Sequence, residues 1–265
     1  MIFETHAHYD DEQFDPDREE LLNRLHASGI GPIVNVGANL QGCRDTVELT
    51  EQYPFIYGAV GVHPSETGEL NEENFGLLRE LLFREKIVAV GEIGLDYYWD
   101  EPDHDTQKKW FIRQLNLARE LKMPVIIHSR DAAQDTYNIL KQEKAEEIGG
   151  VIHCFSYSAE MAQRYVDMGF YIGVGGVVTF QNAKKLKEVV VSVPLERIVL
   201  ETDSPYLAPV PNRGKRNCSG NLSLVVGKIA ELKGITAEQV IDTTRKNAFK
   251  LYHMEEETVN TIRKV

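Results

Sequence analysis

Eight short β-rich runs alternate with longer helical patterns along the chain, and this alternation restricts the fold more than any other feature. Strands that are apolar almost throughout and are separated by amphipathic helices are typical of a buried parallel sheet. Eight such units in 265 residues favour a closed (β/α)8 TIM barrel over an open doubly wound sheet. The predicted strands are Ile2–His6, Pro32–Val36, Ile56–Val62, Val88–Glu92, Val125–His128, Gly150–His153, Tyr171–Val174 and Ile198–Glu201.

Helical patterns fill the segments between these strands and continue after the last one. Asp15-Pro16-Asp17 is typical of a helix start with proline in its first turn, and Lys233-Gly234 is typical of a helix end. Since no repeat, linker or low-complexity segment interrupts the pattern, we interpret residues 1–265 as one TIM-barrel domain. The predicted helices are Asp17–Ser28, Leu40–Gln52, Glu72–Phe83, Thr106–Leu121, Ala132–Lys144, Ala159–Met168, Lys184–Ser192, Leu222–Lys233 and Ala237–Tyr252.

The charge balance and the cysteine count narrow the class of protein. The formal net charge is −12, whereas proteins that bind duplex nucleic acid by phosphate neutralisation alone are usually basic. A phosphate substrate is still compatible with this charge, because bound cations can reverse the local field. No apolar run has the length of a membrane span, we find no secretory signal, and three cysteines form no disulfide framework. We therefore expect a cytoplasmic protein with no membrane partner and no obligate protein partner.

A histidine pair lies in the first predicted strand. Successive side chains on a strand point to opposite faces, so His6 and His8 share one face and project together. Neutral imidazole is a common ligand for divalent transition metals, and two imidazoles side by side can begin a binding site. Histidine pairs are also common on surfaces that bind no metal, so the rest of the pattern decides between the two interpretations.

Five further polar side chains follow apolar strands directly, namely His63, Glu92, His128, His153 and Asp203. Barrel enzymes place their chemistry at the carboxyl ends of the strands, where these groups would meet. Without a metal, such a cluster would carry large desolvation and repulsion costs. Four histidines and two carboxylates suit two divalent ions that share one carboxylate, and this donor set fits Zn, Mn, Ni or Fe, with Mg bound more weakly.

Seven motifs occur in order along nearly the whole chain: Thr5-His6-Ala7-His8, Gly61-Val62-His63-Pro64, Gly91-Glu92-Ile93-Gly94-Leu95-Asp96-Tyr97, Ile127-His128-Ser129-Arg130, His153-Cys154-Phe155, Glu201-Thr202-Asp203-Ser204-Pro205-Tyr206-Leu207 and Arg213-Gly214-Lys215-Arg216-Asn217. With these motifs the chain resembles the TatD family of metal-dependent deoxyribonucleases, within the wider group of amidohydrolase-like barrel hydrolases. The motifs are specific for the family and less specific for a biological substrate.

The resemblance implies a division of labour among the ligands. His6, His8 and Asp203 would bind one ion, His128 and His153 would bind the other, and Glu92 would bridge the two. Asp203 and Glu92 would be the catalytic residues. The implied reaction is hydrolysis of DNA phosphodiester bonds by a water that two ions activate, with Asp203 orienting or deprotonating that water. The resemblance also implies 3′–5′ exonuclease-like action on single-stranded ends.

Two residues near the ligands are candidates for phosphate contacts. His63 is expected to donate a hydrogen bond to the phosphate rather than to bind metal, the alternative being a loop hydrogen bond beside Pro64. Arg130 follows the ligand His128 closely, and its planar guanidinium suits a pair of phosphate oxygens. The alternative for Arg130 is an ion pair with Asp131.

Aromatic and basic residues near the predicted strand ends are further substrate-contact candidates. Tyr97 and Tyr206 would stack on bases or bind phosphate, or else serve as core or rim aromatics. Arg213, Lys215 and Arg216 form a local basic run in the loop after the last predicted strand, and Gly214 among them permits a close backbone approach. A basic loop at the active face of an acidic chain is a candidate phosphate clamp, with a solvated loop as the alternative.

The chain departs from the family pattern after the basic run. The family usually continues with Glu-Pro, whereas this chain has Cys218 and Ser219 in those places. All six proposed ligands remain, so the departure bears on substrate preference rather than on metal binding. We expect Cys218 to line the rim of the pocket and to alter selectivity without binding metal.

Two other functions remain open at this stage. The same metals can polarise a carbonyl, so a small amide or an ester-linked aminoacyl-tRNA is an alternative substrate. A non-catalytic metal-binding protein is the third interpretation. The presence of Asp203 argues against it, because a structural metal site rarely needs an acid beside an open water position.

Overall fold

A parallel eight-stranded sheet forms the centre of the protein in a computed structural model that describes residues 1–256. The strands are hydrogen-bonded in chain order from β1 to β8, and every neighbouring pair is parallel. This order is that of a (β/α)8 barrel, as predicted. The strands are β1 Ile2–Ala7, β2 Ile30–Val36, β3 Ile56–Val60, β4 Ile87–Asp96, β5 Val125–Arg130, β6 Gly150–Ile152, β7 Tyr171–Val174 and β8 Ile198–Leu200.

A helix follows each strand and covers the outside of the sheet, and a ninth helix ends the described chain. Each predicted helix is confirmed to within two residues at either end. The helices are α1 Arg18–Ala27, α2 Leu40–Gln52, α3 Glu72–Leu82, α4 His104–Leu121, α5 Ala133–Gln142, α6 Ala159–Asp167, α7 Lys184–Ser192, α8 Leu222–Lys233 and α9 Ala237–Leu251.

The inside of the barrel holds a separate apolar core that α9 covers. Small and branched side chains from alternate strand positions, such as Val36, Ala89 and Val151, pack there with Phe249 of α9. The cluster also includes residues at the starts of strands, so α9 closes the amino-terminal end of the barrel. The carboxyl end of the barrel is left open for polar side chains.

The barrel closes where β1 meets the chain that follows β8. The backbone N–H of Asp203 donates to the carbonyl of His6 at 3.0 Å, and the N–H of His8 donates to the carbonyl of Ser204 at 2.8 Å. Below them, the buried carboxylate of Glu4 accepts hydrogen bonds from the backbone N–H and the hydroxyl of Thr202. The first and last strands are therefore joined at the level where the predicted metal ligands lie.

All eight predicted strands are confirmed, and β4 is longer than predicted. It continues past Glu92 to Asp96, because Gly94 and Asp96 pair with His128 and Arg130 of β5. Among residues 1–256, no helix combines the length and the apolar character that a membrane span requires. The predicted single domain reaches residue 265, and its last nine residues lie outside the described part of the chain.

We expect that only glycine at position 94 allows the backbones of β4 and β5 to approach without strain. Its φ is +146°, and a Cβ at this position would overlap the carbonyl oxygen of His128. Gly94→Ala should therefore lower the free energy of unfolding by about 1–3 kcal/mol, measured by chemical denaturation. The matched control is Gly227→Ala, in the exposed middle of α8, where a Cβ would meet nothing within 4 Å. The control should stabilise the protein by up to about 1 kcal/mol, and equal effects of the two changes would contradict the prediction.

Candidate metal centre

A cleft of about 720 Å³ opens at the carboxyl ends of the strands, and Glu92 lies at its floor. The Glu92 carboxylate is buried, with Oε1 2.9 Å from His153 Nε2 and 2.7 Å from His128 Nδ1. Its other oxygen, Oε2, lies 3.3 Å from His6 Nε2 and 3.8 Å from His8 Nε2. One carboxylate thus faces all four predicted histidine ligands, two on each oxygen.

Asp203 completes the cluster from the loop after β8. Its φ is +58°, a left-handed conformation that Asp tolerates better than most residues, and its Oδ1 lies 3.3 Å from His8 Nε2. His6 Nε2 lies 3.8 Å from the same oxygen. Donor atoms of His6, His8 and Asp203 form a group within 4.8 Å of one another that could hold an ion.

The geometry fits a metal better than it fits a network of hydrogen bonds. The Nε2 atoms of His6 and His8 face each other at 3.1 Å. His8 Nδ1 lies 2.7 Å from the Val36 carbonyl, which can only accept, so a neutral His8 carries its proton on Nδ1 and turns the Nε2 lone pair to the cleft. Nitrogen lone pairs and carboxylate oxygens that converge in this way suit a divalent cation, and a histidine whose outer nitrogen donates to a carbonyl is typical of a metal ligand.

Without a bound metal, protons on the histidines supply the positive charge that balances the buried carboxylates. Burial would lower the pKa of His8, but the hydrogen bond to Asp203 and its charge raise that pKa to about 9. Burial would also lower the pKa of His153, but the negative charge of Glu92 raises that pKa to about 10. Burial and the neighbouring His153 lower the pKa of His6 to about 4, so this ring is neutral. The carboxylates therefore keep their charge by holding protonated histidines next to them.

His63 lies beside the cluster and presents a hydrogen-bond donor to the cleft. Its Nδ1 accepts a hydrogen bond from the backbone N–H of Ser65 at 3.1 Å, so a neutral His63 carries its proton on Nε2. Burial and the nearby His128 lower the pKa of His63 to about 3, which keeps the ring neutral. Donor atoms of His63, Glu92 and His128 lie within 4.8 Å, but the Nε2–H tautomer of His63 has no lone pair to give a metal.

The two walls of the cleft differ in charge. On one wall the guanidinium of Arg130 lies 3.8 Å from the ring centre of Tyr98, and Trp99, half exposed, contacts Tyr98 edge-on. Among the described residues Arg130 forms no ion pair, so the alternative pairing with Asp131 is not observed. The lining elsewhere includes Tyr206, whose hydroxyl donates to Asp11, and the acidic side chains Asp10, Asp11 and Asp45.

Several predicted substrate contacts lie elsewhere. Tyr97 stacks on His104 and donates its hydroxyl to Asp135, outside the lining of the cleft. Arg216 forms a two-pronged ion pair with Asp17. The polar ends of Tyr97 and Arg216 therefore have protein partners outside the cleft lining, and their role as substrate contacts stays a prediction.

The rest of the loop after β8 also departs from expectation. The guanidinium of Arg213 lies 4.6 Å from the ring centre of Phe180, outside the cleft lining, and its role as a substrate contact stays a prediction. Cys218 packs against the apolar cluster under α1 and does not line the cleft. The expectation that Cys218 forms the pocket rim is therefore wrong. The next residue, Ser219, is buried, and its backbone N–H donates to the hydroxyl of the buried Tyr9, which holds this segment against the apolar cluster.

Asp96 and Trp99 are among the cleft residues that the sequence-based prediction missed. Asp96 lies 3.1 Å from His128 Nε2, and Trp99 stands in the loop just beyond it. The two-residue period of β4 places Asp96 on the same face as Glu92, which is the signal that would have revealed it. Trp99 had a weaker signal, the aromatic run Tyr97-Tyr98-Trp99 after a barrel strand.

The barrel and its histidine–carboxylate cluster are typical of a metal-dependent hydrolase, and comparison with known proteins agrees. The family model described as TatD related DNase matches residues 3–253, so the chain belongs to the TatD family. It is 46% identical over 254 residues to YabD, an uncharacterized metal-dependent hydrolase of Bacillus subtilis (strain 168), covering 96% of this chain and 100% of YabD. It is 37% identical to YcfH, an uncharacterized metal-dependent hydrolase of Escherichia coli (strain K12), covering 99% and 100%.

A solved structure agrees with the fold. The crystal structure of YjjV, a TatD homologue from Escherichia coli K12, superposes with a TM-score of 0.91 at 32% identity, covering 96% of this chain and 98% of YjjV. The chain therefore shares both its sequence family and its architecture with metal-dependent hydrolases along almost its whole length.

Metal binding is expected to release protons and to weaken as the pH falls. The pKa values of His8 and His153 are raised to about 9 and about 10, so both rings are protonated at pH 7 and must lose a proton before they bind metal. For each proton that Zn²⁺ displaces, the affinity should therefore fall about tenfold for every pH unit by which the pH is lowered between pH 8 and pH 6. Calorimetry in two buffers of different ionisation enthalpy measures the proton count.

The control for this titration is His253→Gln, which changes an exposed histidine far from the cleft and should leave the proton count unchanged. Zinc binding with no proton release and no pH dependence would contradict the protonation states derived above.

Proposed function

We propose that this protein is a deoxyribonuclease that holds two divalent metal ions and removes nucleotides from the 3′ ends of single-stranded DNA in the cytoplasm. The observation that carries the proposal is the combination of groups in one cleft. A histidine–carboxylate cluster suited to metal faces the N–H of His63, and Arg130 on its aromatic support lines the same cleft. The match to a family model described as a DNase supports it.

The six predicted ligands divide into two sets around Glu92. His6, His8 and Asp203 would hold one ion, and the other would lie between His128 and His153, with Glu92 shared. When bound, such ions lower the pKa of water and neutralise charge on phosphoryl oxygens. The chain contributes a rigid frame, since each of these side chains extends from a barrel strand or the turn directly after it.

Asp203 is the candidate general base. Its side chain is 18% exposed, so water from the cleft can reach it. Burial opposes ionisation, but the hydrogen bond to His8 and the surrounding imidazoles keep the pKa of Asp203 below its usual range, so the carboxylate is ionised at neutral pH. An ionised carboxylate at the surface of the cleft can orient water and accept its proton.

The wall with Arg130 suits a nucleotide chain. Arg130 and the Nε2–H of His63 offer donors to phosphate oxygens, and the exposed face of Trp99 offers a surface on which an unpaired base can stack. The net charge of −12 makes a long electrostatic track for duplex DNA unfavourable. A few local contacts near the metal therefore favour a single-stranded end as substrate.

A carbonyl hydrolase is the second candidate, and the acidic part of the cleft favours it. Asp10, Asp11 and Asp45 line the cleft and together suit an ammonium group. An ester-linked aminoacyl group or a small amide with a free amine carries such a cation. For this substrate the same centre would act on a carbonyl carbon instead of phosphorus.

The deciding experiment compares substrates on one preparation. Chelator-stripped protein receives Mg²⁺, Mn²⁺ or Zn²⁺ and is incubated with single-stranded DNA labelled at either end, or with an aminoacyl ester. We expect stepwise shortening of the DNA from the 3′ end, and Asp203→Asn should reduce the rate about 10²–10⁴-fold. Glu92→Ala should abolish both metal retention and cleavage. Metal-loaded protein that leaves DNA intact and hydrolyses the ester would favour the second candidate.

Arg130 and Arg216 form a matched pair for testing the substrate wall. Both guanidinium groups lie over an aromatic ring, Tyr98 or Phe14, but only Arg130 lines the cleft. Arg130→Ala should lower kcat/KM on single-stranded DNA about 10–100-fold, since it removes a charge-assisted hydrogen bond worth about 1.5–3 kcal/mol. Arg216→Ala should leave kcat/KM within a few-fold of wild type. Equal losses in the two variants would contradict this assignment of the wall.

A further inference from the structure

We propose that Asp96 is a positioning residue for the metal centre, which fixes the tautomer and the orientation of His128 so that Nδ1 of His128 is free to bind metal. The inference rests on the ligand role of His128 in the proposed function, and it does not depend on the substrate.

His128 lies between two carboxylates. Its Nδ1 is 2.7 Å from Glu92 Oε1, and its Nε2 is 3.1 Å from Asp96 Oδ2. A neutral imidazole carries one proton, and the nitrogen that carries it cannot bind a metal. With the proton on Nε2, donated to Asp96, the lone pair of Nδ1 points towards Glu92, on the side where the ion held by His128 and His153 would bind. The other tautomer would point an N–H at the cation.

Asp96 is held so that it can act as a fixed acceptor. Its Oδ1 accepts the backbone N–H of Tyr98 at 3.0 Å, which leaves Oδ2 for His128. Its own backbone forms a pair of hydrogen bonds, both 2.9 Å long, with the buried side-chain amide of Gln107 on α4. The residue is 2% exposed. A carboxylate with so little freedom selects one orientation of the imidazole before any metal arrives.

The other three histidines of the centre lack an equivalent carboxylate. The outer nitrogen of His8 donates to the carbonyl of Val36. Among residues 1–256, the outer nitrogens of His6 and His153 have no hydrogen-bond partner, and Glu201 lies 3.7 Å from that of His153. A carboxylate that accepts a hydrogen bond from a ligand histidine raises the basicity of that histidine. Among the four ligand histidines in the described part of the chain, His128 has such a partner, Asp96.

The substitution Asp96→Asn would reverse the tautomer. The N–H of Tyr98 requires an acceptor, so the oxygen of the new side-chain amide would face Tyr98 and its NH₂ group would face His128. The NH₂ group donates to Nε2, which moves the imidazole proton to Nδ1, where metal should bind. Alanine removes the acceptor and leaves both tautomers accessible. If Asp96 had a purely structural role, alanine would lower the zinc affinity more than asparagine does, because asparagine preserves more of the side chain.

The test is zinc titration of Asp96→Asn and Asp96→Ala against a competing chelator, with stoichiometry from elemental analysis. Wild type should bind two Zn²⁺ per chain. We expect the dissociation constant of the weaker ion to rise about 10-fold in Asp96→Ala and about 100-fold in Asp96→Asn. Asp45→Asn is the matched control, since it removes the same charge from the cleft lining without contacting a ligand histidine, and its zinc affinity should stay within about threefold of wild type.

Three outcomes would overturn the proposal. One is an unchanged zinc affinity in both Asp96 variants, another is a larger loss in alanine than in asparagine, and the third is a wild type that binds a single zinc. Circular dichroism melting of the metal-free variants separates a folding defect from a loss of affinity. A wild type that binds two zinc ions but cuts no DNA would refute the nuclease and leave the role of Asp96 standing.

Discussion

The joint between the first strand and the segment after the last strand is the constraint on which the metal centre depends. Glu4 lies buried at this joint, accepts hydrogen bonds from Thr202 and from the backbone of His6, and burial raises its pKa to about 8. Burying a carboxyl group is costly unless it is hydrogen-bonded, so these contacts tie residues almost two hundred positions apart to one geometry. They bring His6 and His8 into contact range of Asp203.

Glu92 sets the second constraint, because its buried negative charge must be balanced by positive charge close to it. A buried carboxylate surrounded by five imidazoles is stable only if some of those rings carry protons or if cations take their place. The raised pKa of His153 and the lowered pKa of Glu92 are two sides of this balance, in which burial opposes the charges and the charges prevail. Because protons and metal ions compete for the same lone pairs, the centre is suited to bind and release metal with pH.

Most of the barrel and the clustering of the six proposed ligands could be predicted, because both follow from short-range patterns. Apolar runs identify strands, and a polar residue at the end of such a run identifies its position at the barrel mouth. Asp96 was missed because it depends on β4 continuing four residues beyond Glu92, which pairing with β5 decides and local sequence does not. The sequence could not reveal that Tyr97 and Arg216 lie outside the cleft lining, because the direction of a loop side chain depends on distant partners, here Asp135 and Asp17.

If the proposed nuclease function holds, the uneven walls of the cleft would allow so acidic a protein to accept an anionic substrate. Unit charges several ångströms apart interact strongly only where water is scarce, so groups that line the cleft matter more than the net charge of −12. Arg130 on the face of Tyr98, beside Trp99, gives one wall a cationic and aromatic surface, while Asp10 and Asp45 make another part of the lining repulsive to phosphate. A polyanion that entered along the Arg130 wall would meet repulsion on continuing past the acidic part. This asymmetry suits a chain end better than a strand that passes through the cleft.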